Sequence, residues 1–257
     1  LKADFPNFAG MIDETLIPEL ALQHVTGKQV SLVPTVLLGP PGVGKTIFLK
    51  ALADAFALPF TRMNLEASQA GFELIGSSRG WSNACRGHLL SWLGRAEIAN
   101  VVFAMEELEK ASGSHQFPVA NILLQLLEPA TGSAFADACV PELKLDIRPV
   151  NFMFTANSLE GISSPLQSRL HIIEIPALNP EQARHVALRQ YTQLIESLQL
   201  PCQPPKLTEA GLKLLADESP RRQRILIRLA VGRAIAERRS ELVFTPPPTS
   251  TKWRMGF

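Results

Sequence analysis

An α/β fold built on a parallel sheet is predicted by three observations. Short apolar runs alternate with longer helical patterns, the short runs are rich in β-branched and aromatic residues, and Gly, Pro or polar residues border them. The candidate strands are the five runs 35–38, 60–65, 101–105, 151–155 and 171–175. Between them, residues 45–56 and 119–127 carry leucine and alanine at helical spacing. Strands that alternate with helices imply a parallel sheet with helices on both faces.

Beyond residue 176 the pattern changes. Residues 180–200 read as a helix, with Asn179 as N-cap and Pro180 at the first helical position. Residues 208–216 read as another, opening on Thr-Glu. Ser219-Pro220 repeats the cap-then-proline signal and opens a third helix, to about residue 239. The next strand-like stretch is 241–245. A boundary near Pro176 therefore separates an α/β domain (1–176) from a small α-helical domain (177–241) and a tail (242–257). The Pro246-Pro247-Pro248 run makes that tail extended.

Composition narrows the class further. Across 257 residues, 46% are hydrophobic and 19% charged, enough to bury a core and the opposite of a disordered balance. Lys+Arg is 25 against 24 Asp+Glu, a formal charge of +1, so no overall field recruits nucleic acid or an anionic membrane. No apolar run approaches the roughly 20 residues that span a bilayer. Cys85, Cys139 and Cys202 are an odd number without a CxxC, which argues against a disulfide framework and suits a reducing, cytoplasmic setting. His24, His88, His115, His171 and His185 show no metal-ligand spacing. No signal-peptide pattern follows Leu1.

The chemistry is concentrated after the first strand. Gly39-Pro40-Pro41-Gly42-Val43-Gly44-Lys45-Thr46 matches G-x-x-x-x-G-K-[ST], with a strand before it and a helix after it. Glycines let successive backbone N–H groups turn toward one anion, and the helix N-terminus adds partial positive charge. Lys45 is expected at the β- and γ-phosphates of a nucleotide, and the Thr46 hydroxyl on Mg²⁺. The third strand ends in Glu106-Glu107, the Walker B arrangement: Glu106 for the metal shell, Glu107 to polarise the attacking water. Asp is usual at the first position. The extra methylene of Glu106 shifts the carboxylate by roughly 1.5 Å, a change that an ion keeping several waters absorbs. Taken alone, Glu106, Glu107 and Glu109 would simply start a solvated helix with Lys110; beside the phosphate loop the Walker B reading is preferred.

The order of these motifs, followed by Thr155-Ala156-Asn157 and Pro165-Leu166-Gln167-Ser168-Arg169, resembles an AAA+ ATPase. More narrowly, Ile122-Leu123-Leu124-Gln125-Leu126-Leu127-Glu128-Pro129 and Phe135-Ala136-Asp137 are similar to the ATPase module of Lon-type proteases. The resemblance implies a P-loop NTPase sheet with an α-helical lid, ATP and Mg²⁺ as cofactors, and a homo-oligomeric ring, a hexamer, acting on protein substrates. It implies Asn157 as sensor 1, which helps place the water, and Arg169 as an arginine finger toward the neighbouring subunit. Arg221 falls at the lid's sensor 2, with Arg222 and Arg224 as rivals. The segment 217–239 holds seven arginines against three acids, a local net of +4.

Two departures stand out. The aromatic that grips polypeptide in such rings is replaced by Leu74, and an insertion at 80–87 carries Trp81, which reads either as a displaced gripping ring or as a packing residue. Gly76-Ser77-Ser78-Arg79-Gly80 fits G-x-S-x-G, but without the strand and helix that a nucleophile elbow needs. Two functions follow: a ring ATPase that remodels or unfolds proteins, or a weakly hydrolysing nucleotide-dependent switch or assembly scaffold. A peptidase domain would follow the lid, so no protease active site is expected in this chain.

Overall fold

Alternation within the strands assigns each side chain to one face of a sheet. The computed structural model describes residues 1–27, 29–66, 71–80, 82, 84–111, 119–200 and 203–244. Its strands are β1 (Thr35–Leu38), β2 (Phe60–Asn64), β3 (Val102–Glu106), β4 (Asn151–Ala156) and β5 (His171–Glu174). They form one five-stranded sheet in the order β2-β3-β4-β1-β5, and every pairing is parallel. This is the α/β architecture expected from the sequence. β3 runs on to Glu106, which pairs with Asn64 of β2.

Both faces are covered, so the central strands are buried along nearly their whole length. On one face Val36, Phe103, Met105, Phe152 and Phe154 pack with Leu89 of helix α3 (His88–Ala96) and with Val119, Leu123 and Leu126 of helix α4 (Val119–Leu126). On the other, Leu37, Val102, Ala104 and Met153 meet Phe48, Leu49 and Leu52 of helix α2 (Lys45–Ala55). The N-terminal segment, for which the sequence suggested no element, is helical through α1 (Ile17–Thr26). It joins the α2 side, where Phe8 stacks on Phe48 with ring centroids 4.2 Å apart.

The chain divides into two compact units, Leu1–Ala177 and Leu178–Phe257. In the second, α5 (Pro180–Leu198), α6 (Glu209–Ala216) and α7 (Pro220–Ala236) enclose Ala187, Leu212, Leu215, Ile227 and Val231. Asn179 caps α5 in a capping box with Gln182. Thr208 and Ser219 cap the other two helices through side-chain oxygens. The strand expected at 241–245 is reduced to a single parallel bridge, Lys206 to Glu241. Too little pairs with this stretch to extend a ladder, and residues 245–257 lie outside the described residues.

One buried polar side chain joins the strand starts. Asn151, 1% exposed, accepts from Leu32 N at 2.7 Å and donates through Nδ2 to Asn100 Oδ1 at 2.8 Å and Val101 O at 3.2 Å. Asn151→Leu strands a backbone donor and a side-chain acceptor in the core. It should destabilise the fold by about 3 kcal/mol, read as a lower urea midpoint at unchanged slope.

Candidate functional site

The loop at 39–46 follows β1 at the carboxyl end of the sheet, where neighbouring strands lie on either side and α/β folds place ligands. Two of its glycines are required by conformation: Gly42 at φ +83° and Gly44 at φ +101°. A side chain there meets its own backbone, so other residues are strained. Gly39 is required by contact: a Cβ would lie 2.3 Å from the Ile175 carbonyl oxygen. The first residue of the loop is thus wedged between strand ends, its N–H donating to Ala156 O at 3.1 Å. Asn7, buried and unremarked in the sequence, donates through Nδ2 to Val43 O at 3.4 Å and Pro176 O at 3.2 Å.

Lys45 opens α2 and is 8% exposed. Its Nζ donates to Gly39 O at 2.5 Å, Pro40 O at 3.1 Å and Asn157 Oδ1 at 3.0 Å. An ammonium has three donors, and these acceptors use all of them. Burial pushes its pKa below the usual lysine value, and the charges of Glu109 and then Glu107 pull it back up.

The acids leave β3 in sequence. Glu106 is mostly covered, and its Oε1 is buried without a hydrogen-bond partner. Arg62 NH1 stands 3.6 Å away, an ion pair too long to be a hydrogen bond. Glu107 lies in the left-handed region at φ +61°, costly for a residue with a side chain. Its N–H reaches Thr155 Oγ1 of β4 at 3.4 Å, and its Oε2 lies 3.4 Å from Lys110. The chain then forms the short 3₁₀ turn Leu108–Lys110, because the left-handed Glu107 redirects it. That turn brings Glu109 inward: Oε1 accepts from Asn157 N at 3.1 Å and from Asn157 Nδ2 at 2.7 Å. Sequence reasoning assigned Glu109 no role. The one available signal was its place two residues past Glu107.

The other expected residues lie elsewhere. Arg169 donates to Pro165 O at 3.0 Å and pairs with Glu128 Oε2 at 3.4 Å. Arg221 is exposed in the first turn of α7, in the second unit. Leu74 is fully buried in the short helix Phe72–Ile75. Trp81 lies outside the described residues. Buried Asp137 secures the inserted loop, accepting from Gly87 N and Cys139 N, each at 2.8 Å. The G-x-S-x-G run follows that short helix and not a strand. Among the described residues, no cluster of three or more His, Cys, Asp or Glu could hold a metal, and no helix is long and apolar enough to cross a membrane.

Gly39→Ala should lower the melting temperature, since the methyl has no room against Ile175 O; overpacking of this kind costs about 1–3 kcal/mol. Differential scanning calorimetry reads the shift.

Known proteins share much of this sequence. Residues 35–177 match the family described as ATPase family associated with various cellular activities (AAA). The Lon protease of Methanosarcina barkeri is 31% identical over 212 residues, covering 82% of this chain and 26% of that protein. The Lon protease of Heliobacterium modesticaldum is 31% identical over 202 residues, covering 79% and 23%. That of Neorickettsia sennetsu is 35% identical over 176 residues, covering 68% and 21%. The chain therefore spans about a quarter of the length of these relatives.

Proposed function

Since the chain belongs to the AAA family of ATPases, we propose that residues 39–46 hold the phosphates of ATP and that the chain hydrolyses ATP with Mg²⁺ as a subunit of a homo-oligomeric, hexameric ring. The observation that carries this reading is the 3.0 Å contact between Lys45 Nζ and Asn157 Oδ1. It joins the lysine of the glycine-rich loop to the asparagine after β4, at the ends of adjacent strands.

Each residue then has a task. The N–H groups of the loop and of the first turn of α2 bind phosphate oxygens. Lys45 exchanges its protein acceptors for phosphate oxygens and offsets their charge. The Thr46 hydroxyl and the Glu106 carboxylate are hard oxygen donors of the kind Mg²⁺ takes, and Glu106 Oε1, which has an ion pair with Arg62 but no hydrogen bond, fits that use. Mg²⁺ bound there would supply charge neutralisation at the phosphate oxygens. Glu107 orients the attacking water and takes up its proton, and Asn157 assists in placing that water. Arg169 reaches the nucleotide of a neighbouring subunit, and Arg221 serves the lid formed by 177–241. The segment 217–239 carries a local net charge of +4, a sign suited to phosphate. Hydrolysis would be coupled to remodelling or unfolding of protein substrates in the cytoplasm.

A second reading is a nucleotide-dependent switch or scaffold that hydrolyses weakly. The full burial of Leu74 favours it, since a side chain in the core does not grip a passing polypeptide. Turnover with and without unfolded protein separates the two, because a remodeller is stimulated by its substrate.

Glu107→Gln should bind ATP with near-normal affinity while turnover falls by about 100-fold or more. Fluorescent-nucleotide titration and phosphate release read the two quantities, and full activity in that variant removes Glu107 from catalysis. Arg169→Ala should reduce turnover by about 10³-fold at concentrations where the wild type is assembled. A dilute wild-type monomer that hydrolyses as fast as the assembly would exclude a role in trans.

A further inference from the structure

We propose that Glu109 is a positioning residue of this site. Its carboxylate sets which end of the Asn157 amide faces the phosphate loop, so that Asn157 presents its amide oxygen, an acceptor, to what lies there. The inference rests on the reading of residues 39–46 as an ATP site and assigns one of its partners a direction.

The argument begins with donors and acceptors. An ionised carboxylate only accepts and an ammonium only donates. Glu109 Oε1 takes both N–H groups that Asn157 offers on that side, the backbone N at 3.1 Å and Nδ2 at 2.7 Å. The amide oxygen is thereby turned to Lys45 Nζ, 3.0 Å away. Turning the amide over would set its oxygen against a carboxylate and its NH₂ against an ammonium, two repulsions in place of two charge-assisted bonds. The orientation is therefore held from both ends.

The backbone holds Glu109 in turn. Left-handed Glu107 directs the turn Leu108–Lys110 toward β4. On its far side, a Cβ on Gly161, at φ +88°, would lie 2.7 Å from Glu109 O, so the loop after β4 closes directly on this turn. Glu109 Oε2 is buried with no hydrogen-bond partner among the described residues. Its charge is thus offset through Oε1 and by the field of nearby Lys45.

The functional consequence comes when phosphate oxygens compete for Lys45. The ammonium leaves Asn157 Oδ1, and the freed oxygen still faces the loop because Glu109 keeps hold of Nδ2. An acceptor at that point takes a hydrogen from a water molecule; it does not bind a phosphate oxygen, which also only accepts. Asn157 then acts on the attacking water and contributes little to ATP affinity.

The test uses the whole chain with Glu109→Ala, Glu109→Gln, Asn157→Ala and the double variant Glu109→Ala/Asn157→Ala. Without nucleotide, ¹⁵N NMR of the Asn157 side chain should show in the wild type one Nδ2 proton shifted and protected from exchange. Glu109→Ala should return it to a free-amide signal, and Glu109→Gln, which keeps an acceptor, should retain it. With ATP, Glu109→Ala should lower the single-turnover rate by about 10–100-fold while ATP affinity changes less than about threefold. Glu109→Gln should restore most of the rate. The double variant should be slower than Glu109→Ala alone by less than about threefold, because both remove one unit. An unprotected Asn157 amide in the wild type overturns the proposal even if Glu109→Ala does not fold, and so does a double variant whose losses multiply. A wild type whose turnover and ATP affinity equal those of Lys45→Ala would overturn the ATP reading, and the amide signal would still decide the Glu109 contact.

Discussion

A buried ammonium sets the terms for the rest of this structure. Lys45 is removed from water at the start of a helix, which would cost several kcal/mol if its donors were left idle. Carbonyl oxygens of Gly39 and Pro40 and the Asn157 amide oxygen take them up. That solution demands a loop able to turn its carbonyls inward over a few residues. The loop has left-handed glycines at 42 and 44 and, against the Ile175 carbonyl, a residue without Cβ at 39. The same solution demands that β4 lie beside β1, because Asn157 follows β4. The acids beyond β3 supply the compensating charge, Glu109 before Glu107.

The sheet makes that arrangement rigid. Its central strands are buried on both faces by separate hydrophobic clusters, one against α3 and α4 and one against α2 and the N-terminal segment. Packed interiors resist displacement, so the ends of β1, β3 and β4 hold fixed positions while the loops beyond them carry the chemistry. Asn151 performs the matching task at the opposite ends of the strands, satisfying Leu32 N and Asn100 Oδ1 where a core residue would leave both unpaired.

The second unit is built by a different logic. Caps at Asn179, Thr208 and Ser219 define its helix starts. Gln223, fully buried, ties the helices together through Nε2 to Ala183 O and Leu215 O. Its arginines stay largely at the surface, which makes them available to phosphate or to another subunit under the proposed function. The similarity to Lon proteases covers about a quarter of those proteins, and the family match lies at residues 35–177.

The sequence alone determined the five strands and the helices at 45–56 and 119–127 to within a residue or two, the glycine-rich loop, and the caps of the second unit; it missed Ile17–Thr26 and His88–Ala96. These signals are local: a period of two or of 3.6, a glycine at a left-handed position, an oxygen beside an unpaired N–H. Tertiary structure decided the rest. The contact of Lys45 with Asn157 spans 112 residues and that of Glu109 with Asn157 spans 48; neither is encoded by spacing, and both depend on which strands become neighbours. Glu109 took no role from the sequence because nothing local announces that Glu107 turns left-handed. Leu74 read as a loop position and is core, because its burial depends on elements that meet it only in the folded chain.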